Sequence, residues 1–171
     1  MANTFVKIAS TTVGSGGAST VTFSSIPGTY TDLVIKASVR TNRPNPNDAL
    51  SIKLNASTSN YSSRSITYDN GGITSYANLF GVGYVINTEG NIFTANIFSN
   101  QEVYIPNYAG SANKSFSSDT AVENNAQDAR VEIMASLWAD TTAVTSITID
   151  SYTSNTILQY STFTLYGIKK D

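Results

Sequence analysis

An all-β fold, an antiparallel β-sandwich, is what the 171-residue sequence predicts. Three observations lead there. Apolar residues recur at every second position in run after run, the period of a strand with one buried face. Turn-forming Gly, Pro, Asn and Asp separate these runs at short intervals. No convincing amphipathic helix appears: the best candidate, 120–129, is short and Asn-rich, and predicts one turn at most.

Taken in chain order, Gly14-Ser15-Gly16-Gly17 lies between the strand-like runs 5–12 and 20–23 and predicts an opening hairpin over 4–25. Ile26-Pro27-Gly28-Thr29 predicts a turn, with Pro pre-setting φ and Gly free to take a positive one. Leu33, Ile35, Ala37 and Val39 then alternate with more polar neighbours. The segment 42–48 holds Pro44 and Pro46 and cannot carry a regular ladder. Leu50, Ile52 and Leu54 alternate again. Asp69-Asn70-Gly71-Gly72 signals a tight turn, and Glu89-Gly90-Asn91 separates apolar runs at 80–86 and 92–98. Val131, Ile133, Ala135 and Leu137 read as a core face, with Arg130, Glu132, Met134 and Ser136 outward. Ile147 and Ile149, then Phe163 and Leu165, complete the pattern, and the terminal runs 5–8 and 163–168 are expected to pair in the core or at a subunit interface. The sum is about ten short strands in a jelly-roll-like sandwich. One domain is expected over 1–171, its core sandwich spanning 30–168.

Composition excludes much chemistry. With 0 His and 0 Cys, the chain has no Ser-His-Asp or Cys-His nucleophile system, no histidine base and no disulfide. Zinc, copper and non-haem iron lose their usual ligands. No cofactor motif is present: the glycines at 14–17 lack the following Lys and helix of a phosphate loop. Charged residues are only 13%, and the net charge of -2 argues against an electrostatic nucleic-acid binder. No apolar stretch approaches the roughly 20 residues that span a bilayer. Met1-Ala2-Asn3-Thr4-Phe5 shows no signal peptide, so synthesis in the cytoplasm is expected.

Candidate sites are therefore carboxylates and aromatics. Asp119, Glu123 and Asp128 lie close in sequence and offer either an acid/base pair or, with Asn124 and Asn125, a calcium site; as plain loop residues they are simply solvated. Trp138, the one Trp, falls on the outward phase of its strand. It either presents its ring to a sugar or partner, or closes the end of the core at the Asp140 turn. Tyr61, Tyr104 and Tyr108 are expected to cap sheet edges, with hydroxyls reaching water.

Several segments carry a resemblance. They are Thr22-Phe23-Ser24-Ser25-Ile26-Pro27-Gly28-Thr29-Tyr30-Thr31-Asp32-Leu33, then Leu54-Asn55 with Asn60-Tyr61-Ser62-Ser63-Arg64, then Tyr104-Ile105-Pro106-Asn107-Tyr108-Ala109. Leu137-Trp138 with Ala143-Val144-Thr145-Ser146-Ile147-Thr148, and the closing Tyr160-Ser161-Thr162-Phe163-Thr164-Leu165-Tyr166-Gly167-Ile168-Lys169, complete them. In this order they resemble small β-rich structural proteins of tailed bacteriophages, marine and cyanobacterial ones among them. The resemblance implies a virion protein of the capsid-decoration or tail-fibre group and brings no catalytic residues. The leading expectation is a non-enzymatic capsid decoration or cement protein, forming a homo-oligomer, a trimer by preference, on the major capsid protein. The alternatives are a tail-fibre or adhesin module binding host glycans and, more remotely, a glycan hydrolase using carboxylates alone.

Overall fold

The computed structural model describes residues 4–69, 71–78, 83–92, 94–124 and 129–169. Within them, twelve strands form two antiparallel sheets, and no helix occurs. They are β1 (Phe5–Thr12), β2 (Thr20–Phe23), β3 (Asp32–Val39), β4 (Asn47–Leu54), β5 (Tyr61–Asp69) and β6 (Gly72–Asn78). Then follow β7 (Gly83–Glu89), β8 (Ser99–Pro106), β9 (Lys114–Val122), β10 (Arg130–Trp138), β11 (Ile147–Ser151) and β12 (Thr162–Ile168). The larger sheet runs β1-β12-β3-β8-β9-β10-β5-β6, the smaller β2-β11-β4-β7.

The alternating apolar runs decide where the core sits. Leu33, Ile35, Ala37 and Val39 of β3, Leu50, Ile52 and Leu54 of β4, Ile147 and Ile149 of β11, and Phe163 and Leu165 of β12 are all buried in one cluster between the sheets. Closing this face removes their apolar surface from water, the main stabilising term in the fold. The terminal strands pair as expected, Phe5 opposite Ile168 and Thr12 opposite Thr162. Close approach is needed beside that pair: a Cβ on Gly167 would run into the ring of Tyr30. β5 pairs with β6, Asp69 opposite Gly72, and Gly71 takes a φ of 84°; position 70 of the expected tight turn lies outside the described residues.

Two expectations are corrected. The segment 4–25 is no hairpin: β1 pairs with β12 in one sheet and β2 with β11 in the other, so the glycine loop crosses between layers. The run at 92–98 is no strand among its described residues. Arg40 Nη1 donates to the carbonyls of Thr94 (2.7 Å) and Ile97 (3.4 Å), and Asn96 takes a positive φ of 64°, so these carbonyls serve an arginine instead of a ladder. In the helix candidate, Thr120, Ala121 and Val122 belong to β9; positions 125–128 lie outside the described residues. Of the run 80–86, positions 80–82 also lie outside them, and β7 continues to Glu89.

Candidate functional site

Strand β10 sets the chemistry of one half of the large sheet. Its sequence offers apolar residues in both phases: Val131, Ile133 and Leu137 in one, Met134 and Trp138 in the other. Trp138 prevails. It lies opposite Tyr61 across the β5–β10 pair, the rings stack with centroids 6.1 Å apart, and its Nε1 donates to Ser57 Oγ at 3.3 Å. Burying the largest side chain in the chain outweighs burying a Val and an Ile. Because strand side chains alternate with a period of two, seating Trp138 inward sends Glu132, Met134 and Ser136 inward too. The expected core face of Val131, Ile133, Ala135 and Leu137 is thus reversed: the first three are exposed and Leu137 is half-buried.

Neighbouring strands follow the same phase. β5 turns Ser63, Ser65 and Thr67 inward and Ile66 and Tyr68 outward. On the outer face, pairing aligns Ala121, Val131, Tyr68 and Ile73 in one row across β9, β10, β5 and β6. Asp119, Ile133, Ile66 and Ser75 form the next. Five large apolar side chains in these rows are 48% to 77% exposed, Ile73 the most. Two shallow grooves of about 400 Å³ flank Ile133, one bordered by Arg64, Ile66 and Ala77, the other by Ser117, Asp119 and Val131. Scattered exposed apolar residues are ordinary on soluble proteins, but a contiguous patch marks a contact surface.

Beneath this patch the interior is polar. The Glu132 carboxylate is buried and accepts from Thr67 Oγ1 (3.0 Å), Asn87 N (3.1 Å) and Asn87 Nδ2 (2.8 Å). Gln101 Nε2 donates to the Asn87 carbonyl and to Ser99 Oγ, each at 3.3 Å, and Asn124 Nδ2 donates to Glu89 Oε1 at 3.2 Å. Hydrogen bonding makes such burial tolerable. The sheet is therefore inside-out here, with its polar face in and its apolar face out.

Charges border the patch. Lys36 Nζ meets Glu102 Oε2 at 2.5 Å, and Glu102 lies directly opposite Asp119. Burial, and then the Glu102 charge, push the Asp119 carboxyl up, while Lys36 opposes them. Arg64 stands on β5, two strands from Asp119.

The residues singled out from the sequence fare unevenly. Trp138, Tyr61 and Tyr108 are buried core residues, so none offers a ring to a ligand. The Tyr61 hydroxyl accepts from Leu54 N at 2.8 Å instead of reaching water, and burial pushes its phenol up to about 12. The Tyr108 hydroxyl donates to the Pro27 carbonyl and accepts from Tyr30 N at 3.4 Å. Tyr104 is half-buried and donates to Asp32 Oδ2 at 2.9 Å, a bond that raises its phenol. Asp119 sits on the outer face of β9, and Glu123 lies just past the strand end. Asp128 and Asn125 lie outside the described residues, and Asn124 is buried against Glu89.

No family model, no curated protein and no solved structure matches the chain. The exposed apolar residues that the sequence reading missed are Ile66, Tyr68, Ile73, Val131 and Ile133. Their signal was present in the alternation of β5 and β10, but with its sign undecided until Trp138 is placed.

Proposed function

We propose that the protein is a non-enzymatic structural component of a phage particle, a capsid decoration or cement protein, which assembles with a second copy of itself through the outer face of β5, β6 and β10. One observation carries this reading: the sheet exposes five large apolar side chains while burying serines, threonines and a glutamate beneath them. The phase that buries Trp138 leaves these five apolar side chains in water, where they contribute nothing to the stability of a lone chain, so the outward apolar face points to a surface that is covered in the assembled state. The ordered segments that resemble small tailed-phage structural proteins support the virion setting.

A second copy fits the face for two reasons. Its Ile133 ridge lies between two grooves, the relief that lets two sheets interdigitate. Its rim also carries both signs, Arg64 on β5 and Asp119 on β9, so the patch is complementary to itself. Full burial of each Ile, Val or Tyr contributes about 1.5–3 kcal/mol, against the cost of association.

Sedimentation velocity tests this. The wild-type chain is expected to be oligomeric at micromolar concentration, and Ile66→Asp or Ile133→Asp to return it to a folded monomer. A wild-type monomer at about 100 μM, or an oligomer indifferent to both substitutions, overturns the reading. In particles that carry the protein, the cement role predicts hundreds of copies on the head; a few copies on the tail contradict it.

A further inference from the structure

The inner side of the same sheet end holds a separate feature, a cleft of about 380 Å³ between β4, β6 and β10, within the size range of small-molecule sites. Tyr76 of β6 and Tyr152, in the turn after β11, border it and remain 50% and 42% exposed. Arg43, from the loop before β4, and Arg130, at the start of β10, line it. Glu132 and Asn87, locked together by two hydrogen bonds, also line it.

We propose that this cleft binds a neutral saccharide, a role beyond the assembly reading and independent of it. A sugar ring has apolar C–H faces and a rim of hydroxyls that both donate and accept. Tyrosine rings match the faces. The rim needs donors and acceptors in mixture, and the Asn87 amide, the Thr153 and Ser65 hydroxyls and the guanidinium groups supply them. Four side-chain atoms among the described residues are buried without a hydrogen-bond partner; Ser118 Oγ and Ser136 Oγ lie away from the cleft, and the other two, Ser65 Oγ and Arg130 Nε, belong to residues that line it. Native interiors rarely leave such atoms unpaired.

Charge narrows the ligand class. Arg130 Nη2 pairs with Asp69 at 2.7 Å, and Arg43 Nη1 lies 3.9 Å from Asp48. Glu132 adds a further carboxylate, so the cleft has no surplus of positive charge to hold a phosphorylated, sulfated or sialylated sugar. A larger cleft bordered by Tyr160 and Phe98 contains no buried polar atom left without a partner, and it serves as the comparison.

The test is a printed panel of neutral mono- to tetrasaccharides of glucose, galactose, mannose, rhamnose and N-acetylglucosamine, with sialylated and sulfated counterparts. Titration calorimetry follows with the strongest neutral binder. Binding is expected to weaken about 10-fold in Tyr152→Ala and in Tyr76→Ala, both at exposed positions, with unchanged circular dichroism. Tyr160→Ala should bind as the wild type does. Absence of binding to every neutral sugar, preference for anionic ones, or loss in Tyr160→Ala instead of Tyr152→Ala overturns the proposal. The panel readout does not depend on oligomeric state, so its failure and that of the assembly reading are separable.

Discussion

Replacing Glu132 by Ala probes the inverted sheet at its most costly point. The carboxylate accepts three hydrogen bonds, one from Thr67 and two from Asn87, and its residue is 2% exposed. Each buried donor left without a partner costs about 1–3 kcal/mol. Three such penalties do not simply add, because two donors share Asn87 and the adjacent cleft admits water. A loss of about 3–5 kcal/mol is expected, comparable to breaking a buried charged contact. For a chain of this size each kcal/mol lowers the midpoint by about 2–4 °C, so melting should fall by about 6–20 °C. Glu132→Gln keeps one acceptor oxygen and should lose about half as much. Thermal unfolding followed by circular dichroism reads both. A drop under about 4 °C in Glu132→Ala would show that the buried polar layer does not hold β5, β7 and β10 together as described.

Other outcomes follow from the packing. Trp138→Ala removes a buried ring, its stack on Tyr61 and its bond to Ser57; a loss of about 3–5 kcal/mol in chemical unfolding is expected, with Trp138→Phe costing clearly less. Gly167→Ala drives a methyl into the Tyr30 ring and should cost about 1–3 kcal/mol, part of it recovered when Tyr30 is also truncated. Alkaline stability has a defined window. Tyr61 is raised from 10.0 to about 12, so the folded state favours the neutral phenol; that stability is fully present below pH 10 and is lost as pH climbs through 12. Tyr61→Phe should be less stable than wild type at pH 8, having lost the acceptor for Leu54 N, yet show a shallower decline above pH 10.

How much of this was legible depends on which residues carry the core. In β3, β4, β11 and β12 the inward set is mostly Leu, Ile, Val and Phe and the outward set is more polar, so the alternation fixes the phase, although Val34, Ala49 and Ser51 of the other phase are buried too. In β5 and β9 the inward set includes serines and threonines, so hydropathy alone cannot tell buried from exposed. In β10 both phases are partly apolar, and the local pattern favoured the wrong one; only the pairing of Trp138 with Tyr61, 77 positions apart in sequence, settles it. The opening hairpin failed for a related reason. A glycine loop between two strands looks the same whether the strands pair or part to opposite sheets, and the choice rests with β11 and β12 near the far end of the chain. The cleft was invisible because Tyr76, Asn87, Glu132 and Tyr152 lie on four separate elements.

Thiol labelling tests the inverted sheet most directly, because the chain has 0 Cys and any introduced thiol reports alone. In Ile133→Cys the side chain points outward; in Met134→Cys, one residue on, it points into the core. Dilute native protein should react with a maleimide rapidly at position 133 and only after unfolding at position 134. Raising the concentration should slow position 133 alone, as a second copy covers the face. Rapid native reaction at 134 with protection at 133 in dilute solution would contradict the account.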